Sequence, residues 1–449
     1  MDIKELYKLY QQHPCITTDS RNCPEGSIFL ALKGASFNGN QFALQALQQG
    51  CAYAIIDEAE IQEQLDSPDS RIMLVDDCLQ TYKDLAREHR RQFDIPVVGI
   101  TGTNGKTTTK ELIRAVLSEC YNVMATEGNF NNDVGVPKTL FRLNEEHDIA
   151  VVEMGASHPG DIKTLVETAE PTCGLITNVG RAHLQGFGSF EGVCKTKGEL
   201  YDFFRAHECP VFVNRDNEHL MKMTDGLADI YYYGQSDNAD ILIRGEVISC
   251  APFLKFRWRE QDADANYQSE WMEVQTHLIG AYNLDNMLAA ITVGYVNNVP
   301  FEQINHALEN YIPTNNRSQL TETQTNHLIV DAYNANPTSM KAAIDNFRLM
   351  EVSPKMAILG MMGELGDVSQ EEHQKIIDML ASAGFDKVWL VGEEFEKVTS
   401  HLSVLSSQFS VFHDVEEVKA AIAQEQPQHY YILIKGSNSV KLYQLPELL

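Results

Sequence analysis

The chain has no long apolar run and no excess of positive charge, and both absences narrow what it can do. No stretch of its 449 residues approaches the ~20 apolar residues of a membrane span, so insertion in a membrane is not expected. The N-terminal MDIKELYKLYQQ lacks the apolar centre of a signal peptide. A formal net charge of −28 argues against nucleic acid or an anionic membrane as the main partner. The nine cysteines are scattered without a C-x-x-C pair. That spacing favours reduced thiols in the cytoplasm over a disulfide framework or a zinc site. Internal repeats, low-complexity tracts and coiled-coil heptads are also missing.

The remaining composition, 43% hydrophobic and 22% charged, is that of an ordinary globular protein. The chain is too long for a single core. Its most informative stretch is IPVVGITGTNGKTTTK at 95–110. A β-branched run (Ile95, Val97, Val98, Ile100) enters a turn holding Gly102, Thr103, Asn104 and Gly105. Lys106, Thr107 and Thr108 then open a helical pattern that continues through Leu112, Ile113, Val116 and Leu117. Such a strand–turn–helix cradles phosphate: glycines let backbone N–H groups approach the oxygens, and the helix start adds partial positive charge. The lysine reaches outer phosphates and the threonine hydroxyl ligates Mg²⁺. The strict pattern G-x-x-x-x-G-K-[ST] is not met, since its first glycine would fall on Ile100. The context nevertheless predicts a protein that handles ATP or GTP.

Composition and pattern divide the chain at about 1–92, 93–312 and 313–449. In the middle segment, YNVMAT (121–126), DIAVVEMG (148–155), CGLITNVG (173–180) and CPVFVNRD (209–216) are short apolar runs ending in polar residues or glycine. Strands alternating with helices predict a mostly parallel sheet with ligands at the carboxyl ends of its strands. Between 240 and 279 the pattern changes to strands without helices, read as an antiparallel extension. Two helical stretches follow, then PTNNR (313–317) reads as a linker and a second α/β alternation begins.

Polar residues at the predicted strand ends are the candidates for chemistry. Glu153 ends one strand and His183 follows another; together they could hold Mg²⁺ or orient its waters, and singly they read as a cap and a surface histidine. GNFNNDVGVP offers Asn129, Asn131 and Asn132 to a sugar, phosphate or peptide, or forms a plain turn. Asp331 ends a strand, and Tyr333, Asn334 and Asn336 precede a helix, where they could close on a ligand or cap that helix. Lys195 and Lys197 begin a helical stretch and read most simply as solvated lysines.

Taken together, TGTNGKTTT, EMGA (153–156), NVGRAHLQGFGS (178–189), TKGE (196–199), AYNLDNMLAA (281–290) and KGS (435–437) resemble the Mur ligase family of ATP-dependent amide ligases. The resemblance covers essentially the whole chain. It implies an α/β fold of three domains: a small N-terminal UDP-binding domain, a central phosphate-loop ATPase domain with a mostly parallel sheet, and a C-terminal Rossmann-like domain. DAYNANPTSM (331–340), GNFNNDVGVP and TDSRNCPEGSIFLALKG (18–34) are similar to the member that joins D-alanyl-D-alanine to a UDP-N-acetylmuramoyl-tripeptide.

Roles implied by the resemblance fall on matching positions. Lys106 and Thr107 would bind the phosphates of ATP and Mg²⁺, with Glu153 and His183 helping to hold metal. Lys197 matches a lysine that is carbamylated in many members. Asn283 would meet the adenine, Arg317 and Asp331 would bring the third domain onto the nucleotide, and Thr18, Ser20 and Arg21 would engage the uridine nucleotide. The chain departs from the family pattern at Met361, where Asp is usual, and at Asn438, where Arg follows K-G-S. Asn38-Gly39-Asn40 stands for D-G-H, and Val330 for the first of two aspartates. A family ligase with a different acceptor, and a nucleotide-binding regulatory module, are the alternative readings.

Overall fold

A computed structural model describes residues 2–34, 36–63, 69–250, 252–262, 267–313, 319–400 and 407–449. The chain forms two compact units, which are taken in turn. Arg317 and most of the expected 313–317 linker lie outside the described residues.

The first unit comprises residues 1–99, 122–154 and 163–172. Its four-stranded parallel sheet runs Ile16–Thr17, Ile28–Leu30, Tyr53–Ile56, Ile72–Leu74. Asp2 caps the helix Ile3–Gln12, which turns Leu6, Tyr7 and Tyr10 inward. Asp77 caps Cys78–Arg90, which buries Tyr82, Leu85 and His89. These side chains share a core with Ile28, Leu30, Ile55 and Ile72. His89 ties the pieces together, accepting from Tyr7 Oη (3.0 Å) and donating through Nε2 to the Leu143 carbonyl (3.0 Å). The parallel strands Val123–Ala125 and Ile149–Glu153 also belong to this unit.

The second unit comprises 100–121, 155–162 and 173–449 and holds two sheets. In one, Cys173–Ile176, Val211–Asn214, Ile230–Gly234 and Ile241–Cys250 run parallel in that order. Phe253–Asp262 then pairs antiparallel with Ile241–Cys250 and with Met272–Ile279, the extension expected from the 240–279 pattern. Ile230–Gly234 is a strand that the sequence pattern did not reveal; Ile230, Tyr231 and Tyr232 are half-buried and Tyr233 and Gly234 buried, without a clear alternation. The helix Asn283–Val296 packs closely on Lys106–Leu117, where a β-carbon at Gly294 would lie 2.4 Å from Val116 Cγ1.

The other sheet has the order Gln319–Glu322, His327–Asp331, Tyr431–Lys435, Lys355–Gly360, Lys387–Val391, Phe409–Phe412, and only the first strand is antiparallel. Alternate side chains of one strand enter cores on opposite faces, Leu328 and Val330 on one and Ile329 on the other. Val330, at the departure from the family's aspartate, is therefore a buried apolar contact.

Candidate active site

The loop before Lys106–Leu117 is shaped by two glycines that no other residue could replace without displacement. Gly102 has φ 144° and Gly105 φ 79°, both in the region that L-residues avoid. A β-carbon would come within 2.0 Å of Thr177 Oγ1 at Gly102 and within 2.6 Å of Asn286 Oδ1 at Gly105. The loop is pinned by the segment after Cys173–Ile176. Thr103 N donates to the Asn178 carbonyl (2.9 Å) and Asn104 N to Asn178 Oδ1 (3.0 Å), while Thr177 Oγ1 donates to the Asn104 carbonyl (2.7 Å). Asn286 supports it from below, accepting from Thr109 Oγ1 at 3.0 Å. The sequence reading missed Thr177, Asn178 and Asn286. The signal for Asn286 was present, since it lies one turn after Asn283 on the same helix face.

Lys106 begins the helix and folds over the loop, its Nζ donating to the carbonyls of Gly102 (2.8 Å) and Thr103 (3.1 Å). Thr107 is buried in the first turn, and Thr108 is half-buried. Asn283 is buried with its carboxamide committed: Nδ2 donates to the Ile279 carbonyl (2.8 Å) and Oδ1 accepts from Asn286 Nδ2 (2.8 Å).

Lys197 corrects the simplest reading of its segment. The helix runs Phe190–His207, so Lys195 and Lys197 lie within it rather than at its start. Lys195 is exposed, but Lys197 is only 2% exposed. Its Nζ lies over the Phe187 ring at 5.6 Å, and no carboxylate stands within ion-pair distance among the described residues. Burial, reinforced by Lys106 and opposed by Asp161 and Glu199, holds its ammonium well below the usual lysine range. Its chain neighbours Lys195, Thr196, Gly198 and Glu199 are polar or small, but it lies on the helix face of Val193, Leu200, Tyr201 and Phe204, a helical spacing that marked it for burial.

His183 has φ 50° and stands just before the short helix Leu184–Phe187. Its Nδ1 bonds Glu364 Oε2. Burial lowers its pKa, Glu364 opposes that shift, and Lys106 and Lys197 add to it. The imidazole is thereby favoured in its neutral form. Lys106, Lys197 and His183 thus form one electrostatic neighbourhood.

The loop after His327–Asp331 reaches this neighbourhood. Asn336 caps the helix Pro337–Leu349 in a capping box with Ser339. Its Nδ2 also donates to Asn104 Oδ1 at 2.7 Å, while Asn104 Nδ2 returns a longer bond of 3.4 Å. Arg181 N donates to Thr338 Oγ1 (3.3 Å), and the Arg181 guanidinium pairs with Glu372 (3.3 Å). Asp331 is held by the buried Lys435, whose Nζ donates to Oδ2 at 2.6 Å and to the Asn334 carbonyl at 3.3 Å. Asn334 caps Ala335 N (2.8 Å), and Tyr333 is exposed.

The first unit carries the remaining candidates. Glu153 is buried at its strand end and accepts from Asn131 Nδ2 at 2.8 Å. Asn132 Oδ1 accepts from Gly135 N (2.8 Å), the first residue of the helix Gly135–Leu140, and Asn129 is exposed. Thr18, Ser20 and Arg21 follow the carboxyl end of the first strand of the parallel sheet. Arg21 forms a bidentate bond with Asp19 (2.9 and 2.8 Å), which brings the Asp19 carboxyl down to about 2. After the second and third strands, Asn38 Nδ2 donates to Glu58, and Asn40 Nδ2 donates to Asp57 Oδ1 at 2.8 Å. Lys33 pairs with Asp57 (2.9 Å) and Glu58 (3.2 Å). Polar groups therefore gather at the carboxyl edge of this sheet, where α/β folds keep ligands.

Among the described residues no group of three or more His, Cys, Asp or Glu side chains could by itself hold a metal ion. Mg²⁺ needs no such cage, because it keeps waters and takes one or two carboxylates together with substrate phosphates. In the second unit the hydroxyl of Thr107 and the neutral-favoured His183 have donor chemistry that suits it, and in the first unit so does the carboxylate of Glu153. No helix among the described residues is long and apolar enough to cross a membrane.

Three family models match the chain. They are the Mur ligase family catalytic domain over residues 14–90, the Mur ligase middle domain over 100–294, and the Mur ligase glutamate ligase domain over 316–438. The UDP-N-acetylmuramoyl-tripeptide–D-alanyl-D-alanine ligase of Synechocystis sp. is 33% identical over 95% of this chain and 90% of its own length. The enzyme of the same name from Escherichia coli is 32% identical over 95% and 91%. Among solved structures, MurF from Acinetobacter baumannii superposes with a TM-score of 0.84 at 29% identity, covering 96% of this chain and 92% of that one. MurF ligase from Thermotoga maritima in complex with ADP does so with a TM-score of 0.83 at 26% identity, covering 97% and 96%.

Proposed function

The chain belongs to the Mur ligase family, and from that premise we infer that it joins D-alanyl-D-alanine to a UDP-N-acetylmuramoyl-tripeptide with cleavage of ATP, in the synthesis of peptidoglycan precursor. The relatives that share a third of its residues over nearly its full length carry that activity in their names. The structural observation that carries the reading is the Asn104–Asn336 bond, which sets the loop after His327–Asp331 directly on the phosphate loop beside Lys106, Lys197 and His183.

In this reading the terminal carboxylate of the tripeptide attacks the γ-phosphorus of ATP, giving an acyl phosphate and ADP. The amine of D-alanyl-D-alanine then attacks the acyl carbon, and phosphate leaves. Anions meet at every stage, so the protein's task is charge neutralisation and positioning. Lys106 leaves the Gly102 and Thr103 carbonyls for the outer phosphates, while Gly102, Thr103, Asn104, Gly105 and Thr108 shape the amide cradle around them. Thr107, Glu153, His183 and a carbamylated Lys197 would hold Mg²⁺, which supplies charge stabilisation at the phosphoryl oxygens. Burial with no carboxylate at ion-pair distance among the described residues supports carbamylation, since it favours the neutral amine whose lone pair adds to CO₂, releasing one proton.

Asp331 and Arg317 would bring the C-terminal domain onto the nucleotide. An adenine contact by Asn283 would require its carboxamide to leave Ile279 or Asn286. Thr18, Ser20 and Arg21 would engage the uridine nucleotide, and Asn129, Asn131, Asn132, Tyr333, Asn334 and Asn336 the peptide substrates. We place the domain boundaries near 92 and 312 and the enzyme in the cytoplasm, where its thiols stay reduced.

Phosphate release from ATP tests the reading. It should require UDP-N-acetylmuramoyl-tripeptide and D-alanyl-D-alanine together. Release with another amino acid in place of the dipeptide would assign a different acceptor, and release without any acceptor would point to a regulatory nucleotidase.

A further inference from the structure

Glu364 does nothing for the fold that a carboxylate is needed for. Its side chain is 61% exposed, and among the described residues its one side-chain partner is the Nδ1 of His183. Its backbone nevertheless sits at φ 59°, a left-handed conformation that a long side chain adopts only when its surroundings impose it.

The surroundings that impose it can be named. Residues 360–366 form an arm leaving the strand Lys355–Gly360. At its base Met361 N donates to the Val391 carbonyl at 2.8 Å. Met362 N donates to Nε2 of His373 at 3.0 Å, and His373, fully buried, donates through Nδ1 to the Ser369 carbonyl at 2.7 Å. At the tip, the Glu364 carbonyl accepts from Gln185 N at 3.2 Å, and Gly366 lies over Gln185. The arm is thus anchored in one sheet and delivers its carboxylate to a histidine that follows a strand of the other.

We propose that Glu364 is the positioning residue of His183: by accepting from Nδ1 it fixes the ring's orientation and tautomer, so that Nε2 keeps its lone pair for the ion site. A carboxylate behind a metal-binding imidazole acts in this way in general, and losing it weakens metal binding by about 10–100-fold. The arrangement also makes the orientation of His183 depend on an arm that leaves the C-terminal sheet. The proposal rests on the reading that His183 contributes to the Mg²⁺ site.

The experiment compares Glu364→Ala with Glu364→Gln, whose amide oxygen keeps an acceptor on a chain of the same length. ¹⁵N spectra of histidine-labelled protein, with the His183 signals identified from His183→Asn, report the tautomer directly. In the unaltered protein the proton should reside on Nδ1. Glu364→Ala should move it toward Nε2, the form preferred in water, and Glu364→Gln should hold it on Nδ1. In ligation assays Glu364→Ala should raise the Mg²⁺ concentration for half-maximal rate about 10–100-fold, leaving the KM for D-alanyl-D-alanine in place, and Glu364→Gln should recover most of that loss. An unchanged His183 tautomer in Glu364→Ala, or a shifted tautomer with unchanged Mg²⁺ dependence, would overturn the proposal. If the unaltered protein does not ligate the dipeptide, the functional reading fails, and the spectra together with Mn²⁺ titration of the same variants still decide the role of Glu364.

Discussion

Replacing Lys197 by methionine should move stability and activity in opposite directions. The side chain is 2% exposed, lies against Phe187 and has no carboxylate at ion-pair distance among the described residues. An ammonium there is disfavoured by burial and by Lys106, with only the more distant Asp161 and Glu199 in its favour. Methionine keeps the length and apolar stem of lysine and removes the polar head. A volume-conserving change of this kind in a core costs less than about 1.5 kcal/mol. Removing a buried, poorly compensated polar group returns about 1–3 kcal/mol. Together the two contributions leave the fold between about 0.5 kcal/mol less stable and about 3 kcal/mol more stable.

Activity should behave otherwise. If Lys197 carries a carbamate that helps stabilise the developing charge at the phosphoryl group, its loss resembles removing one preorganised group from a transition-state site. Such losses amount to about 2.7–4 kcal/mol, or 10²–10³ in kcat. Lys197→Arg should fare no better, because guanidinium cannot take up CO₂ and remains a buried cation. The assay pairs urea unfolding with single-turnover ligation on the same preparations. A Lys197→Met protein that unfolds more easily by several kcal/mol would show that the buried amine is well compensated and would overturn this expectation. A variant of ordinary stability that ligates within tenfold of the unaltered enzyme, about 1.4 kcal/mol of barrier, would reduce Lys197 to a packing residue.

Other outcomes follow from the same geometry. Lys106→Ala should abolish ligation, since it removes the ammonium that folds over the loop beside the carbonyls of Gly102 and Thr103; surviving ligation would mean that this loop is not the phosphate site. Gly105→Ala combines a positive φ with a β-carbon 2.6 Å from Asn286 Oδ1, and should lower stability by about 1–3 kcal/mol and weaken ATP binding, whereas an unaltered nucleotide affinity would remove the shape argument for the loop. His89, His183 and His373 all have pKa values lowered by burial from 6.5. The unfolded chain therefore binds more protons than the native one below that pH, and stability should be full above 6.5 and fall toward pH 5. His413, raised by Glu396 but fully exposed, works weakly in the other sense; a urea midpoint that is flat between pH 7 and 5 would contradict the assignment.

What the sequence made legible and what it hid divide along contact distance. The phosphate loop could be read because its strand, glycines, lysine and helix are contiguous, and Gly102 and Gly105 hold the positive φ angles that this turn needs. Asp331 at a strand end and Asn336 as a helix cap were equally accessible, because each is set by the few residues beside it. The same locality explains the misreadings. Within KTKGE itself the residues are polar or small, so a solvated lysine was the inference drawn, although the spacing of Lys197 from Val193, Leu200, Tyr201 and Phe204 puts it on the buried face of its helix against Phe187. The strand Ile230–Gly234 escaped because its three consecutive tyrosines carry no clean alternation. Asn336 looked like a cap and is one, yet its other hydrogen bond reaches Asn104, 232 positions earlier. Glu364 and His183 meet across 181 positions. Pairings of that separation leave no periodic trace in a single sequence, because their energetics depend on how whole sheets dock rather than on local propensity. In this chain the residues that recognise phosphate are written locally, whereas those that make the site work as one unit become visible only when the two sheets of the second unit are seen together.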